Sequence, residues 1–470
     1  MQVTARPVAQ LEHVIGEERE AQLVEAADQF RNALAGRTIW NVSSTAVGGG
    51  VAEMLQVLLG YASDLGVVSR WMVISGDAEF FVITKRLHNE LHGDFSGGPL
   101  TAGDAGRYAR MLAANAVELL DYVKPGDLVL LHDPQTAGLT EYLAHAGAVV
   151  AWRSHIGVDW HNDATEAAWS FLLPNLRAAS GFVFTRREYV PAQIPADKVE
   201  IIPPSIDPFS PKNEVLDAAS VRGVLATIGV LDGMAPREPT TFTRRDGTAG
   251  RVTRQAQITG DGRPGPDDAL VVQVSRWDNL KDMRGVMRGF ADYVAPACDA
   301  YLMLAGPAVA GVTDDPEGAA VFAECLLDWR DLPARVRDRI LLVTLPLDDT
   351  DENAAMVNAL QRHATVIVQK SLAEGFGLTV AEGMWKGRPV VGSAVGGIID
   401  QIAPGTGVLL PDPHDLEAFG SAVRGLLDNP AEADQMGRAA HAYITRHYVG
   451  DEHLLRYDRL FSGMMRPADA

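Results

Sequence analysis

The sequence predicts an α/β chain built from two doubly wound, mostly parallel sheets in two domains, and three observations carry that expectation. A length of 470 residues with 47% hydrophobic content exceeds what one core usually organises, while either half is long enough for a core of its own. From Arg37 onward, short apolar runs alternate with amphipathic stretches: RTIWNVSS, VAEMLQVLLGYASDLG and VSRWMVIS, then DLVLLHD, AVVAWRSH, GFVFT and VEIIPP. Parallel strands joined by helical crossovers give this pattern. Between about Ser210 and Asp268 the rhythm breaks into Gly, Pro, Thr and Arg, and it resumes with ALVVQVS, AYLMLAG, RILLVTLP, TVIVQ and PVVGS as a second sheet.

The break sets the expected domains: 1–208, a linker or insertion over 209–268, a second domain over 269–451, and a terminal helix over 452–470 that crosses back to complete the first. Within the insertion, TFTRRDGTAGRVTR reads as a hairpin, because Asp246-Gly247 is a favoured two-residue turn between β-prone flanks. Its neighbouring arginines are expected to be solvated. In the second half, helices are expected from about Asp282, around FAECLLDW and over MVNALQRH. Near the N-terminus, EEREAQLVEAADQFRNALAG is expected to pack as a helix on the outside of the first domain.

Composition excludes several classes of function. A net charge of −20, from 61 acids against 41 bases, argues against a nucleic-acid or anionic-membrane binder, whose footprint is basic. No apolar run approaches the roughly 18 to 20 residues of a membrane span, and the opening MQVTARPVAQLEHVIGEERE is too polar for a secretory signal. Cys298 and Cys325 have no partner at metal-ligand spacing, so a reducing, cytoplasmic setting is expected, with the sequon Asn41-Val42-Ser43 unmodified in a strand.

Ligands of open α/β sheets bind outside the carboxyl ends of the strands, so the loops there hold the candidates. After the first strand, the loop running into Gly48, Gly49 and Gly50 opens a helix, and its glycines let backbone amides approach a phosphate or sugar. It is not a GxGxxG, and a dehydrogenase wants a ribose-binding acid at the end of the next strand, whereas Asp64 lies before it. After VVQVS, the segment RWDNLKD places Arg276 at a strand end and Lys281 at a helix start. Two such cations beside a helix N-terminus suit a diphosphate, although surface ion pairs account for the spacing equally well.

The segment QKSLAEGFGLTVAEG carries two glutamates. Glu374 would face the ligand from the loop Gly375-Phe376-Gly377-Leu378, and Glu382, on the following helix, would accept ribose hydroxyls. Asp349-Thr350-Asp351 matches the metal-binding DxD of other transferases. It lies in an acidic loop, however, and the cations above make a metal unnecessary for holding phosphate, so no metal site is expected.

On these residues the chain resembles glycosyltransferase family 4, with its Glu-x7-Glu pattern, and within it the trehalose synthases and trehalose phosphorylases. WNVSSTAVGGGVAEML, ISGDAEFFVITKRLHNELHG, LLHDPQTAGL, WRSHIG, IIPPSIDPFSPKN, VSRWDNLKD, VNALQRHATVIVQKSLAEGFGLTVAEGMWKGRPVV and VGGIIDQI follow that subgroup in order. The resemblance implies a GT-B fold of two facing Rossmann-like domains with an interdomain active site. The implied reaction moves glucose from ADP- or UDP-glucose to glucose, giving trehalose with the anomeric configuration retained. Alternatives are a trehalose phosphorylase, a retaining glucosyltransferase with another acceptor, or a sugar-nucleotide-binding protein without activity.

By the same resemblance, Arg276 and Lys281 match the cations on the donor diphosphate, Glu374 the acid near the donor sugar, Glu382 the acid on the ribose, and His155 the sugar-facing histidine. Gly48, Gly49 and Gly50 would face donor phosphate or acceptor, and Asp133 and Gln135 would line the acceptor side. The partners implied are small-molecule sugars and nucleotide sugars, with no nucleic acid and no membrane. No cofactor is required, Mg2+ is tolerated without being essential, and a homodimer is compatible with the family. One departure concerns the acceptor side. Where the subgroup reads Arg-Cys-His-Ile-Asp, this chain reads Arg153-Ser154-His155-Ile156-Gly157, and a nearby acid is missing unless Asp159 or Asp163 replaces it.

Overall fold

The structure is a computed structural model and describes residues 3–46, 49–95, 97–232, 239–308 and 316–465. It divides into two compact units, unit 1 comprising Met1–Ser205 with Tyr448–Ala470 and unit 2 comprising Ile206–His447. Each carries a sheet between helices, parallel in unit 1 and mostly parallel in unit 2; every apolar run expected as a strand forms one, and β-strands at Gln257–Thr259 and Val408–Leu410 extend the second sheet beyond that expectation. No described helix is long and apolar enough to cross a membrane.

In unit 1 the strands are β1 (Ile39–Ser43), β2 (Ser69–Val73), β3 (Leu128–His132), β4 (Val149–Ser154), β5 (Gly181–Phe184) and β6 (Val199–Ile201), in the spatial order β2-β1-β3-β4-β5-β6. All pairings are parallel. The central strand β3 is buried at every position, whereas edge strand β2 is buried only at Trp71. This is why β3 reads LVLLH without polar interruption: helices cover both of its faces. The helix Gly450–Met465 packs against the helix Glu17–Leu34, with Phe461 stacked on Phe30 at 6.4 Å and Arg19 Nη2 donating to Asp451 at 2.6 Å.

In unit 2 the helix Ala218–Ile228 is followed by a hairpin, β7 (Thr241–Thr243) and β8 (Ala249–Arg251), which turns through Asp246-Gly247 with Gly247 at φ +83°. Its sheet contains β9 (Gln257–Thr259), β10 (Leu270–Val274), β11 (Tyr301–Pro307), β12 (Ile340–Leu345), β13 (Val366–Gln369), β14 (Val390–Ser393) and β15 (Val408–Leu410). The order is β15-β14-β13-β10-β11-β12-β9, parallel except that β9 runs antiparallel to β12. The segment 209–268 is built into this unit through β9 and through the helix Ala218–Ile228, which packs on the helix Thr350–His363.

Three of the arginines of that segment, Arg244, Arg245 and Arg254, are engaged in ion pairs, while Arg251 is exposed as expected. Arg244 grips Asp349 through two nitrogens at 3.0 and 2.7 Å, Arg245 pairs with Asp351 at 3.1 Å, and Arg254 pairs with Glu352. Asp349 also caps the helix Thr350–His363 by accepting from the backbone of Asp351 and Glu352, and the Arg244 hydrogen bonds hold its carboxyl down at about 2. The DxD-like acids are thus committed to a helix cap and to ion pairs.

The strand orders fix where ligands belong. In unit 1 the order reverses between β1 and β3, and in unit 2 between β13 and β10, and a crevice opens at the carboxyl ends of such neighbours.

Candidate functional site

At the switch point of unit 2, the chain leaves β10 through Arg276 and Trp277. Buried Trp277 anchors the turn by donating from Nε1 to the Pro307 carbonyl at 3.0 Å. Asp278 accepts from Arg276 Nη2 at 2.9 Å and from the Leu280 backbone at 2.8 Å, while the Arg276 side chain stays 63% exposed. Asp282 adopts φ +48° and caps the helix Met283–Gly289. The fully buried Lys370 ammonium donates to Asp282 Oδ2 and to the Pro413 carbonyl, so the turn carrying Lys281 is pinned from both sides.

The loop after β13 meets this turn. Leu372 N donates to the Leu280 carbonyl at 2.8 Å, and Lys281 Nζ donates to Glu374 Oε2 at 2.5 Å, with Ser371 Oγ at 3.4 Å from the same oxygen. Gln369 braces the loop by donating to Ser371 Oγ at 3.0 Å and accepting from Thr379 Oγ1 at 3.0 Å. Gly377 sits at φ +85°, where a side chain is disfavoured, and an added Cβ would lie 3.2 Å from Glu374 Cγ. It precedes the helix Leu378–Trp385, whose N-terminus therefore opens beside the Lys281–Glu374 pair. Phe376 and Gly375 are pressed against the next turn: Gly397 N donates to the Gly375 carbonyl at 3.2 Å, and a Cβ on Gly397 would lie 2.6 Å from Phe376 Cα.

Glu382, one turn further on, is 4% exposed. Lys212 Nζ approaches its Oε1 at 3.4 Å, and its buried Oε2 receives no hydrogen bond among the described residues. A buried carboxylate oxygen without a donor is costly unless a ligand supplies one, and a sugar hydroxyl is such a donor. The structure thus brings Lys281, Glu374 and the loop 375–378 together, with Arg276 at the neighbouring strand end and Glu382 on the helix that follows.

At the switch point of unit 1, His155 follows β4 and its Nε2 lies 3.0 Å from Nδ1 of His132, the last residue of β3. His132 Nε2 lies 3.1 Å from Asn41 Oδ1 on β1. An amide oxygen only accepts, so His132 donates from Nε2, and its Nδ1 then accepts from His155 Nε2–H. Both rings are neutral in this arrangement. Burial, with buried Arg153 adding to it, holds His132 at about 3 and His155 well below the usual histidine value. His132 and Asn41 were not among the residues expected from the sequence. The one available signal was a histidine ending the LLHD run, and it becomes a site only once β1, β3 and β4 are known to be neighbours.

Asp133 adopts φ +63°, and its Oδ1 accepts from the His155 backbone at 2.7 Å. Burial raises its carboxyl to about 7 despite that bond and Arg153. Gln135 has a buried Oε1 with no hydrogen-bond partner among the described residues. Gly48 lies outside the described residues, and Gly49 and Gly50 open the helix Gly49–Asp64. At position 157 an added Cβ would lie 2.3 Å from Cγ of buried Tyr189. Asp159 is paired with Arg186, and Asp163 lies exposed in the first turn of the helix Asp163–Leu172, so the acid that faces the His155 backbone is Asp133.

Asp133→Asn is expected to keep the fold, because Asn tolerates positive φ and retains an accepting oxygen. Since the native carboxyl binds its proton more tightly than the unfolded one, its stabilisation is full below the unfolded value and is lost as pH rises through about 7. Denaturant melts from pH 5 to 8 should therefore show the variant gaining on the parent as pH rises. A pH-independent difference would contradict the buried, raised carboxyl.

Two family models match the chain: trehalose synthase, N-terminal domain, over residues 41–191, and glycosyl transferases group 1 over residues 350–443. A trehalose synthase of Pyrococcus horikoshii is 32% identical over 96% of this chain and 95% of its own. A trehalose phosphorylase of Grifola frondosa is 23% identical over 90% of this chain but 59% of its own. Among solved structures, an α,α-trehalose-phosphate synthase (UDP-forming) from Burkholderia xenovorans in complex with glucose-6-phosphate aligns with a TM-score of 0.66 at 14% identity, covering 92% of this chain and 100% of that one. With 32% identity to a trehalose synthase and coverage of that relative nearly end to end, the chain belongs to the trehalose synthase family of GT-B glycosyltransferases.

Proposed function

We propose that the protein transfers glucose from ADP- or UDP-glucose to glucose, with retention at the anomeric carbon, forming trehalose. The observation that carries this reading is Glu382, whose buried Oε2 lacks a donor one helical turn beyond the Lys281–Glu374 pair. A neutral ribose hydroxyl fills that need, whereas inorganic phosphate brings negative charge to a carboxylate, and this favours a nucleotide sugar over phosphorolysis. Lengths point the same way, since the chain spans 95% of the synthase relative and 59% of the phosphorylase relative.

In this reading Arg276 and Lys281 hold the diphosphate and stabilise the charge that grows on it as the glycosidic bond breaks, assisted by the N-terminus of the helix Leu378–Trp385. Glu374, held by Lys281 and Ser371, orients the donor sugar rather than attacking it. The acceptor hydroxyl then enters on the face the diphosphate leaves, and a leaving oxygen takes its proton, which retains the configuration without a covalent intermediate. His155, Asp133 and Gln135 of unit 1 hold sugar hydroxyls. Gly49 and Gly50, together with Gly48, let the backbone approach donor phosphate or acceptor.

The test is to incubate the protein with ADP-glucose or UDP-glucose plus glucose and to read the product's anomeric linkage by NMR, with and without excess chelator. The expected product is the α,α-1,1-linked disaccharide, formed in chelator as well. Release of glucose 1-phosphate from trehalose and phosphate, with no transfer from nucleotide glucose, would replace this reading by phosphorolysis. Binding without transfer to any of a panel of sugars would replace it by a binding protein.

A further inference from the structure

Unit 2 holds a cavity of about 320 Å3 at the edge of its sheet opposite the Lys281–Glu374 pair. Asp267, His363 and Arg388 line it and lie just before β10, β13 and β14, whereas Arg276 and Glu374 follow β10 and β13. These strands run parallel, so about one strand length, roughly 15 Å, separates the two places.

The lining is cationic in a chain of net charge −20: Arg222, Arg362, Lys386 and Arg388, with His363, against the single exposed acid Asp267. Among the described residues no carboxylate forms an ion pair with Arg362, Lys386, Arg388 or His363. Arg362 donates to Asn358 Oδ1 at 2.9 Å and to the carbonyls of Asn213 and Glu214 at 3.0 and 2.7 Å, while the Glu214 carboxylate accepts from the Thr243 backbone. Lys386 donates to Asn213 Oδ1 at 3.0 Å and to the Glu382 carbonyl at 3.2 Å. Arg388 Nε and His363 Nε2 are buried and have no hydrogen-bond partner among the described residues. Burial is the largest cause lowering the proton affinity of Arg362, His363, Lys386 and Arg388, and it outweighs the opposing pull of Glu214, Asp267, Glu382 and Asp434. The buried, unbonded nitrogens of Arg388 and His363 beside a cavity of this size are a cost that an anion removes.

We propose that this cavity binds a small phosphate-bearing anion, with Arg388, Arg222 and His363 on the phosphate and the apolar wall of Val221 and Pro266 against its organic body. Lys386 touches both the cavity and the Glu382 carbonyl at the end of the helix Leu378–Trp385. An anion drawing on Lys386 therefore changes the affinity for the nucleotide, a link that rests on the ribose role of Glu382 proposed above. The site itself does not depend on that role.

The test is calorimetric titration of the full chain, at constant ionic strength, with inorganic phosphate, glucose 6-phosphate and glucose. Both phosphates are expected to bind and glucose is not. Tighter binding of glucose 6-phosphate identifies a phosphate monoester as the ligand, and equal binding identifies free phosphate. Arg388→Gln and His363→Gln should each weaken phosphate binding about tenfold or more. Saturating UDP should not displace phosphate, shifting its affinity only by the same factor by which phosphate shifts that of UDP, and the Lys281→Ala variant should leave phosphate binding as it was. Without anion, Arg388→Gln should melt no lower than the parent, since it removes an unbonded cation, and if it fails to fold, His363→Gln decides. Absent binding, displacement by UDP, loss in Lys281→Ala, or undiminished binding by both glutamine variants would overturn the site. A UDP affinity that phosphate leaves unchanged would overturn only the link through Lys386.

Discussion

Replacing Lys281 with alanine is expected to lower kcat/KM for the nucleotide-glucose donor by about 10²- to 10³-fold, the loss seen when one preorganised donor to a developing negative charge is removed. The geometry makes this lysine more than a counter-ion. Its turn is fixed by Asp282, Lys370 and the Leu372–Leu280 backbone bond, so the ammonium is already in place before a diphosphate arrives. Its 2.5 Å contact to Glu374 also holds the acid assigned to the donor sugar. The variant thus removes one charge and frees another, and Lys281→Ala/Glu374→Gln separates the two effects. If the double variant is no worse than Lys281→Ala, the pair acts as one unit; if the losses multiply, each touches the donor independently. Steady-state kinetics with Lys281→Ala remaining within about threefold of the parent would sink the assignment.

How much of this was visible in the sequence depends on whether a residue acts through its own neighbours in the chain. Lys281 and Glu374 could be found because each ends a strand in a loop of distinctive composition, and the doubly wound rule puts such loops at the ligand. That Lys281 and Glu374 touch could not be read, because it requires β10 and β13 to be adjacent, and strand order is set by packing rather than by local pattern. His132 and Asn41 were hidden for the same reason. Asn41 looks like one more position in an apolar strand and serves the site only because β3 lies beside β1. Arg244, Arg245 and Arg254 show the opposite error: expected to be solvated, they are tied to Asp349, Asp351 and Glu352, about 100 residues away. The fold itself was legible throughout, since continuous apolar strands alternating with amphipathic helices admit few other arrangements.

Gly157 carries the other large expected effect. Gly157→Ala should cost about 3 kcal/mol or more, at the upper end for overpacking a filled site, because the new Cβ would stand 2.3 to 2.6 Å from three atoms of Tyr189. Tyr189 cannot step aside: its ring is 2% exposed and lies 5.8 Å from the Arg186 guanidinium, which is itself paired with Asp159. Gly157→Asp, which restores the subgroup's residue, adds a carboxylate to the same clash and should be worse. Tyr189→Ala combined with Gly157→Asp should recover part of the loss by removing the ring, although it leaves a cavity. Denaturant midpoints for the single and double variants decide this, and a Gly157→Ala protein as stable as the parent would show that the ring yields. If it does not yield, an acid at 157 and an aromatic at 189 are alternatives at one position in space. In the proposed reading, the acceptor side of this chain then relies on Asp133, held against the His155 backbone at 2.7 Å, for the carboxyl that the Arg-Cys-His-Ile-Asp pattern places after the histidine.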